Sequence, residues 1–585
     1  MNKLRTYILS LSLCMASFLG FAQTSDTFSH TVERGETVYS IATMYNVSVS
    51  DIQNLNTDSK TTIKAGSVLQ IPRREQAIGS YTFHTIKQYE TLYAVSKRYH
   101  VSGKAIIKAN PGLSTHSFQV GKTIRIPISK LEPTEETVER KVLSFEEYKV
   151  KRRETMYSLC RKFDVSSSEL LKHNPALKRG VKKGMLLRIP ITQKEIVKQT
   201  TPPLSEQDVN ALLTTQPKTA HVSSIKAVLL LPFNAKKAVR SNETERFVEY
   251  YEGLLLAVDS LQRQGYSIEL SVFDIENGTK KLDQILQSNT LKTANLIIGA
   301  VLSEQIEPIA AFAQANNIKY VIPFTSKNKD VLSNACVFQV NTPQSYLYDK
   351  AVSFFCNLHK ESNVVIVDTK DAAPKTEFLA MLKSEMTKQQ IPFHELTYNA
   401  ETFLKDMDTL FTADKRNVVI PLSGSLKALN KIKSPLRVLT ELVTEERTIP
   451  YSISLFGYPE WQTYLRECLE DFYTLDTYIY SNFYALSLSL EVQSFYSKYR
   501  HWFSKVPMNT YPKYAILGFD TAMYFLTAIH RHGTNFEQQV EKDFHPGLQS
   551  GFHFTRVNNW GGYINTNIFS VHFSKDFTIT RNIAE

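Results

Sequence analysis

Apolar positions in the first third of the chain recur as one four-part unit written three times. Its clearest copy lies within residues 148–190, where Tyr148 to Val150 form a short strand. Tyr157, Leu159, Cys160 and Phe163 then recur at helical spacing and make one apolar face, which Asp164-Val165-Ser166 interrupts. Ser166 to Ser168 can cap a second helix carrying Leu170 and Leu171. Asn174-Pro175 ends that helix, because the residue before proline is pushed out of the helical region. Alternation across Met185-Leu186-Leu187-Arg188-Ile189 predicts a second strand, so the unit reads βααβ.

The other copies align with it without a gap. Glu-Thr pairs open the first helix at Glu36-Thr37, Glu90-Thr91 and Glu154-Thr155, and 20 residues after each Glu stands Asn56, Asn110 or Asn174. Each copy closes on Ile-Pro, at Pro72, Pro127 and Pro190. Threonine can cap the helix and glutamate suits its positive end, so these residues have a structural use whatever else they do.

From Ile225 the pattern changes to short apolar strands alternating with amphipathic helices. Strands are expected at 227–231, 268–273, 296–299 and 320–322, and a second set at 364–367, 417–420 and 452–456, with helices such as 252–262 and 306–315 between them. That alternation predicts an α/β, doubly wound parallel sheet in two lobes. Residues 191–222, which include Thr200-Thr201-Pro202-Pro203, read as a flexible linker with one short helical turn, leaving the two sections free to move independently.

Charge divides along the same line. Residues 1–200 hold 31 Lys+Arg against 17 Asp+Glu, and the remainder 37 against 40. The second and third copies carry the excess, with 7 basic and 1 acidic residues and with 12 and 3, whereas the first has 3 and 4. An anionic polymer or surface is the partner such a section suits. At the very front, Lys3 and Arg5 precede an apolar run from Tyr7 to Phe21, and Gly20-Phe21-Ala22 supplies small residues for cleavage before Gln23. Residues 1–22 thus read as a signal peptide, which implies export to the periplasm or cell envelope, sets nucleic acid aside and leaves no membrane span after cleavage. Four cysteines remain, too few for a disulfide scaffold, although Cys336 and Cys356 could pair.

The three copies resemble LysM modules, at 30–72, 81–127 and 148–190. The resemblance implies binding of glycans containing N-acetylglucosamine, such as peptidoglycan, in a shallow groove between the strand–helix loop and the loop after the second helix. It carries that role onto Gly35, Glu36, Thr37 and Asn56; onto Glu90, Thr91, Leu92, Asn110 and Pro111; and onto Glu154, Thr155, Met156, Asn174 and Pro175. The family's glycine before the acid is present as Gly35 but replaced by Tyr89 and Arg153, and its usual Asp is Glu in every copy.

Residues 223–578 resemble a type 1 periplasmic binding protein of the branched-chain amino-acid receptor kind. The likeness rests on Ile297-Ile298-Gly299 with Ser303 after it, Pro323-Phe324-Thr325-Ser326, Phe338-Gln339-Val340, Gly518-Phe519-Asp520-Thr521-Ala522 and Gly562-Tyr563-Ile564-Asn565. It implies a cleft ligand at Ser303, Thr325 and Ser326, with Glu304 or Asp520 as the acid that would meet an ammonium group.

No Walker loop or His-Glu-x-x-His occurs, and Leu422-Ser423-Gly424-Ser425 lacks the pattern of a nucleophile elbow, so no enzyme is expected. His530, His532, His545 and His553 match no metal signature, and neither metal nor cofactor is expected. The sequence therefore supports a wall-anchored, non-enzymatic protein whose large section is an envelope sensor or scaffold contacting a protein partner, or alternatively a receptor for an amino acid or muropeptide.

Overall fold

The structure, a computed structural model, describes residues 27–57, 63–73, 81–128, 136–152, 154–163, 165, 167–198, 204–214, 221–236, 241–441, 450–542 and 544–584. The signal-peptide reading of residues 1–22 lies outside them. Among the described residues, no helix is long and apolar enough to cross a membrane. The chain divides into two compact units: residues 127–209, and the residues up to 126 together with 210 onward.

The first repeat comprises β1 (Thr27–Thr31), α1 (Val38–Tyr45), α2 (Val49–Leu55) and β2 (Val68–Pro72). β1 and β2 pair antiparallel, and Ile41, Ile52 and Ile71 are wholly buried between helices and strands. The second repeats this with β3 (Tyr81–Thr85), α3 (Leu92–Tyr99), α4 (Gly103–Ala109) and β4 (Thr123–Pro127). The third has α5 (Met156–Phe163) and α6 (Ser167–His173) between longer strands, β5 (Glu136–Lys149) and β6 (Leu186–Lys198). Those strands form one antiparallel ribbon from Glu136 opposite Lys198 to Lys149 opposite Leu186. Part of the expected linker is therefore strand, because backbone pairing continues past the Ile-Pro step. A helix, α7 (Glu206–Ala211), supplies the short turn expected there.

The large section builds two seven-stranded sheets. Its elements begin with β7 (Ile225–Leu231), α8 (Asn242–Arg263), β8 (Ile268–Asp274), β9 (Leu296–Gly299), α9 (Ser303–Asn316), β10 (Lys319–Ile322) and β11 (Val337–Gln339). The chain then crosses to α10 (Ser345–Leu358), β12 (Asn363–Asp368), β13 (Phe393–Thr397), β14 (Asn417–Pro421), β15 (Ile453–Gly457) and β16 (Thr477–Ser481). It returns through α11 (Leu490–Phe503) and α12 (Tyr514–His532), adds β17 (Phe554–Arg556) and β18 (Tyr563–Asn565) to the first sheet, and ends with β19 (Phe569–Phe573) and β20 (Ile579–Ile583) in the second. Strand orders are β17-β18-β11-β10-β9-β7-β8 and β13-β12-β14-β15-β16-β19-β20.

Both sheets are mixed rather than purely parallel. β17 runs antiparallel to β18 and β19 antiparallel to β20, each pair joined by a short turn. β19 also runs antiparallel to β16, which it meets after the excursion through α11, α12 and the first sheet. Strands β7, β9, β10, β12, β14 and β15 are buried on both faces, which explains their unbroken apolar runs. Cys336 and Cys356 do not pair: both thiols are free, buried in separate cores.

The front and back sections are not independent where the first two repeats are concerned. Phe28 and Phe83 stack at 5.5 Å, Tyr45 meets Phe83 edge-on at 4.7 Å, and Trp560 of the large section completes the cluster 5.5 Å from Phe83. Trp560 is only 2% exposed. Burying an aromatic side chain of this size favours docking more than any single surface ion pair would.

Candidate functional site

In the second and third repeats the Glu-Thr loop and the turn after the second helix form two lips, and in the first the Glu-Thr loop forms the corresponding one. The glutamate closes the first lip from inside. Glu36 accepts from the backbone N–H of Glu33 and from His30 Nε2, both at 2.7 Å, and Tyr45 Oη lies 2.7 Å from His30 Nδ1. A tyrosine hydroxyl that donates to Nδ1 leaves Nε2–H to donate to the carboxylate, which sets the tautomer. Repeat two copies the relay with Tyr99, His84 and Glu90 at 3.0 and 2.6 Å, while Lys87 N donates to Glu90 at 3.0 Å.

Repeat three solves the same problem with different residues. Tyr148 Oη donates straight to Glu154 at 2.7 Å and Lys151 N donates at 2.6 Å. Tyr148 occupies the place of His30 and His84, six residues before the acid, and Phe163 the place of Tyr45 and Tyr99, nine after it. The larger phenol reaches the carboxylate directly, and Lys162 Nζ takes the supporting place by donating to the Tyr148 hydroxyl at 2.6 Å and to Glu154 at 3.3 Å. These strand residues were missed in the sequence, where the joint change from His with Tyr to Tyr with Phe at fixed spacing was the available signal.

The threonines cap. Thr37, Thr91 and Thr155 accept from Ser40 N, Ala94 N and Ser158 N at 3.1, 3.1 and 3.2 Å. The asparagines clamp the second helix to the second strand. Asn56 donates to Ile52 O and Gln70 O and accepts from Gln70 N, at 2.7, 2.8 and 2.8 Å. Asn110 does the same with Ile106 O, Arg125 O and Arg125 N at 2.7, 2.7 and 2.8 Å. Asn174 follows with Leu170 O, Arg188 O and Arg188 N at 3.0, 2.8 and 2.7 Å. Both amide protons and the amide oxygen are thus engaged within the module in every copy. The Glu-Thr lips expose Arg34 in the first copy, Lys87 and Tyr89 in the second, and Lys151 and Arg152 in the third. Leu92 is wholly buried, Met156 half-buried, and Pro111 and Pro175 exposed.

In the large section a cavity of about 360 Å³ opens at the carboxyl ends of β9, β10 and β11. Thr325 and Ser326 line it together with Glu243, Arg246, Lys327 and the rings of Phe247, Phe324 and Tyr514, and Glu243 is an acid that the sequence reading missed. Phe324 and Tyr514 stack at 5.8 Å, and the Arg246 guanidinium lies 5.8 Å over Tyr514. Thr325 Oγ1 accepts from Lys327 N at 3.1 Å. Ser303 is exposed at the first position of α9 and is not part of the lining.

Neither acid considered for an ammonium group lines the cavity. Glu304 is exposed, and Asp520 is buried inside α12, accepting from Leu548 N, Gln549 N and Ser550 N at 2.8, 2.8 and 2.9 Å. Burial pushes the Asp520 carboxyl up to about 6 although those three N–H donors and Arg581 pull it down. Among the described residues, no three His, Cys, Asp or Glu side chains converge as metal ligands.

Residues 30–72, 84–127 and 148–190 each match the LysM domain profile. The chain carries three LysM domains. Among curated proteins, these LysM regions lie in a chain similar to the sporulation-specific glycosylase YdhD of Bacillus subtilis, 32% identical over 17% of this chain and 22% of that protein. It is also similar to the autolysin SsaALP of Staphylococcus aureus, 29% identical over 19% of this chain and 45% of that one. With N-acetylmuramoyl-L-alanine amidase sle1 of Staphylococcus epidermidis it is 22% identical over 32% of this chain and 58% of the amidase. The chain thus spans between 22% and 58% of the length of these relatives.

Beyond the LysM domains, the body is similar in fold to solved substrate-binding proteins of ABC transporters. One, from Desulfitobacterium hafniense in complex with Leu, is 16% identical with a TM-score of 0.37, covering 62% of this chain and all of its own. Another, a branched-chain amino acid ABC transporter protein from Rhodospirillum rubrum, is 9% identical with a TM-score of 0.44, covering 61% and 100%.

Proposed function

We propose that this is a non-enzymatic, exported protein that binds peptidoglycan through LysM domains and holds its α/β body at the wall as a sensor or scaffold. The observation that carries this is the LysM fold repeated three times with its Glu, Thr and Asn anchors in place. Shallow sugar sites are individually weak, and tethered copies or added charge contacts raise retention at a polymer. A wall tether restrains diffusion, which suits a fixed sensor or scaffold better than a carrier shuttling to a permease. The test is sedimentation of the full mature chain with purified sacculi. Pelleting that soluble peptidoglycan fragments compete away supports the reading, and a folded protein left wholly in the supernatant overturns it.

The cavity beside Thr325 and Ser326 favours a second reading, a receptor closing on a small anion-bearing ligand. Arg246 and Lys327 supply positive charge, Glu243 a carboxylate that an ammonium group could meet, and Phe324 and Tyr514 an apolar wall. A ligand present at 100 times its dissociation constant would add about 2.7 kcal/mol to stability. A screen of amino acids and muropeptides that raises the melting temperature of the full chain supports the receptor, and a flat screen returns the body to the scaffold role.

A further inference from the structure

We infer that the third LysM domain is the glycan grip, while the first and second spend the corresponding lips on the protein's own α/β body and the helix that leads into it. The inference rests on the reading above that these lips are where glycan binds.

In the first LysM domain the body presses on the Glu-Thr lip itself. Gly35 faces Tyr346 of α10 so closely that a Cβ there would lie 2.5 Å from Tyr346 Cδ1 and 2.6 Å from its Cα. Arg34 beside it pairs with Asp349 at 2.9 Å, and Lys329 lies 5.2 Å over the Tyr39 ring. A sugar would have to displace part of a helix to reach that lip.

In the second LysM domain both lips are engaged. Tyr93 N, in the first turn of α3, donates to Asn210 Oδ1 of α7 at 3.1 Å. Across the groove Gly112 N donates to Asn559 O at 2.8 Å, and a Cβ on Gly112 would stand 2.4 Å from Arg556 Cδ and 3.1 Å from Asn559 O. The Asn559 amide meanwhile reaches Thr123 O at 3.1 Å, next to the buried Trp560.

The repeats differ at the two glycines. Where the first domain has Gly35 the others have Tyr89 and Arg153, and where the second has Gly112 the third has Ala176. Gly35 sits where the Tyr346 backbone leaves no room for a side chain, and Gly112 where a side chain would have to push Arg556 aside and crowd Asn559 O. The third domain has neither glycine, and its Thr155, Pro175 and Ala176 are exposed. Its Glu154, Thr155 and Asn174 take the hydrogen bonds described above from within the domain. It also holds 12 basic residues against 3 acidic ones, which suits a wall polymer bearing stem-peptide carboxylates.

Two measurements on the full chain test this. Hydrogen exchange with soluble peptidoglycan fragments should show slowed exchange in segments 154–158 and 173–177 and no change in 35–40 or 91–96. Slowing in either of the latter segments, or none in the third domain, overturns the inference. Ala176→Trp should cut pelleting with sacculi at least tenfold, and unchanged pelleting overturns it as well. The exchange measurement uses the unsubstituted protein, so it decides the matter even if the variant folds poorly. If the unsubstituted chain fails to pellet at all, the proposed wall binding falls first. If it pellets while the third domain shows no protection, only the present inference falls.

Discussion

The indole of Trp560, in the turn between β17 and β18, lies 4.8 Å from the guanidinium of Arg125 in β4 of the second LysM domain. Tyr81 flanks the same cation at 5.2 Å. Burial pushes Arg125 down to about 10, so it keeps its proton at neutral pH. A largely desolvated cation held between two rings contributes about 2 kcal/mol, and Phe83 and Tyr45 add apolar contact on the indole's other edges.

Trp560→Ala should therefore loosen the first two LysM domains from the body. Removing a buried tryptophan costs about 3–5 kcal/mol. Hydrogen exchange of β3 and β4 should rise and the melting transition broaden or split. An unchanged single transition with unchanged exchange would contradict the assignment of Trp560 as the fastening.

Asn110→Ala should unfold rather than merely blunt its domain. The substitution takes the wholly buried Asn110 amide away from Arg125 O and Arg125 N, and leaves Ile106 O only its bond from the residue 110 backbone N–H. Buried groups left unpaired cost about 1–3 kcal/mol each. Denaturant melts read by exchange in α3 and α4 should show the loss, whereas a residue kept only for contact with sugar would leave them unmoved.

Acid should weaken the second LysM domain earlier than the third. Burial lowers the pKa of His84 despite Glu90 beside it, so the unfolded chain, titrating near the ordinary 6.5, takes up that proton first. Stability is present above about pH 6.5 and declines as pH falls toward the folded value. Burial raises Glu90, but Lys87 N–H, His84 and Arg98 outweigh it and hold the carboxyl below its usual range, so a second loss follows below about pH 4.5. The third domain has Tyr148 in the histidine's place and lacks the first step. Exchange in α3 and α5, compared from pH 7 to pH 5, should rise in α3 alone.

Asp520 titrates in the opposite sense. Its folded pKa is raised above the unfolded value, so its contribution is complete below about pH 4 and diminishes as pH climbs to about 6. Asp520→Asn should flatten that dependence. It should also cost about 1–3 kcal/mol, because an amide that keeps one oxygen cannot accept all three of the Leu548, Gln549 and Ser550 N–H bonds. Urea melts of both proteins at pH 4.5 and pH 7 check both statements.

Local pattern alone determined the three βααβ units and the strand and helix alternation of the body. Periods of about 3.6 and 2, helix caps and X-Pro stops act between neighbours in the chain. The regular spacing of Glu, Thr and Asn was equally legible, but their work was not. Whether Asn110 reaches outward to a ligand or inward to Arg125 depends on where β4 lies, a contact across 15 residues. Thr325 and Ser326 do line one cavity, yet Ser303 falls outside it because the turn after β9 carries the start of α9 to the surface. The strand partners His30, His84 and Tyr148 show only as a six-residue offset until the sheet brings each to its carboxylate. Tertiary structure alone decided that Gly35 meets Tyr346 and that Gly112 meets Asn559, pairings 311 and 447 positions apart in the chain. A glycine records that space is scarce, and only the folded chain reveals what fills it.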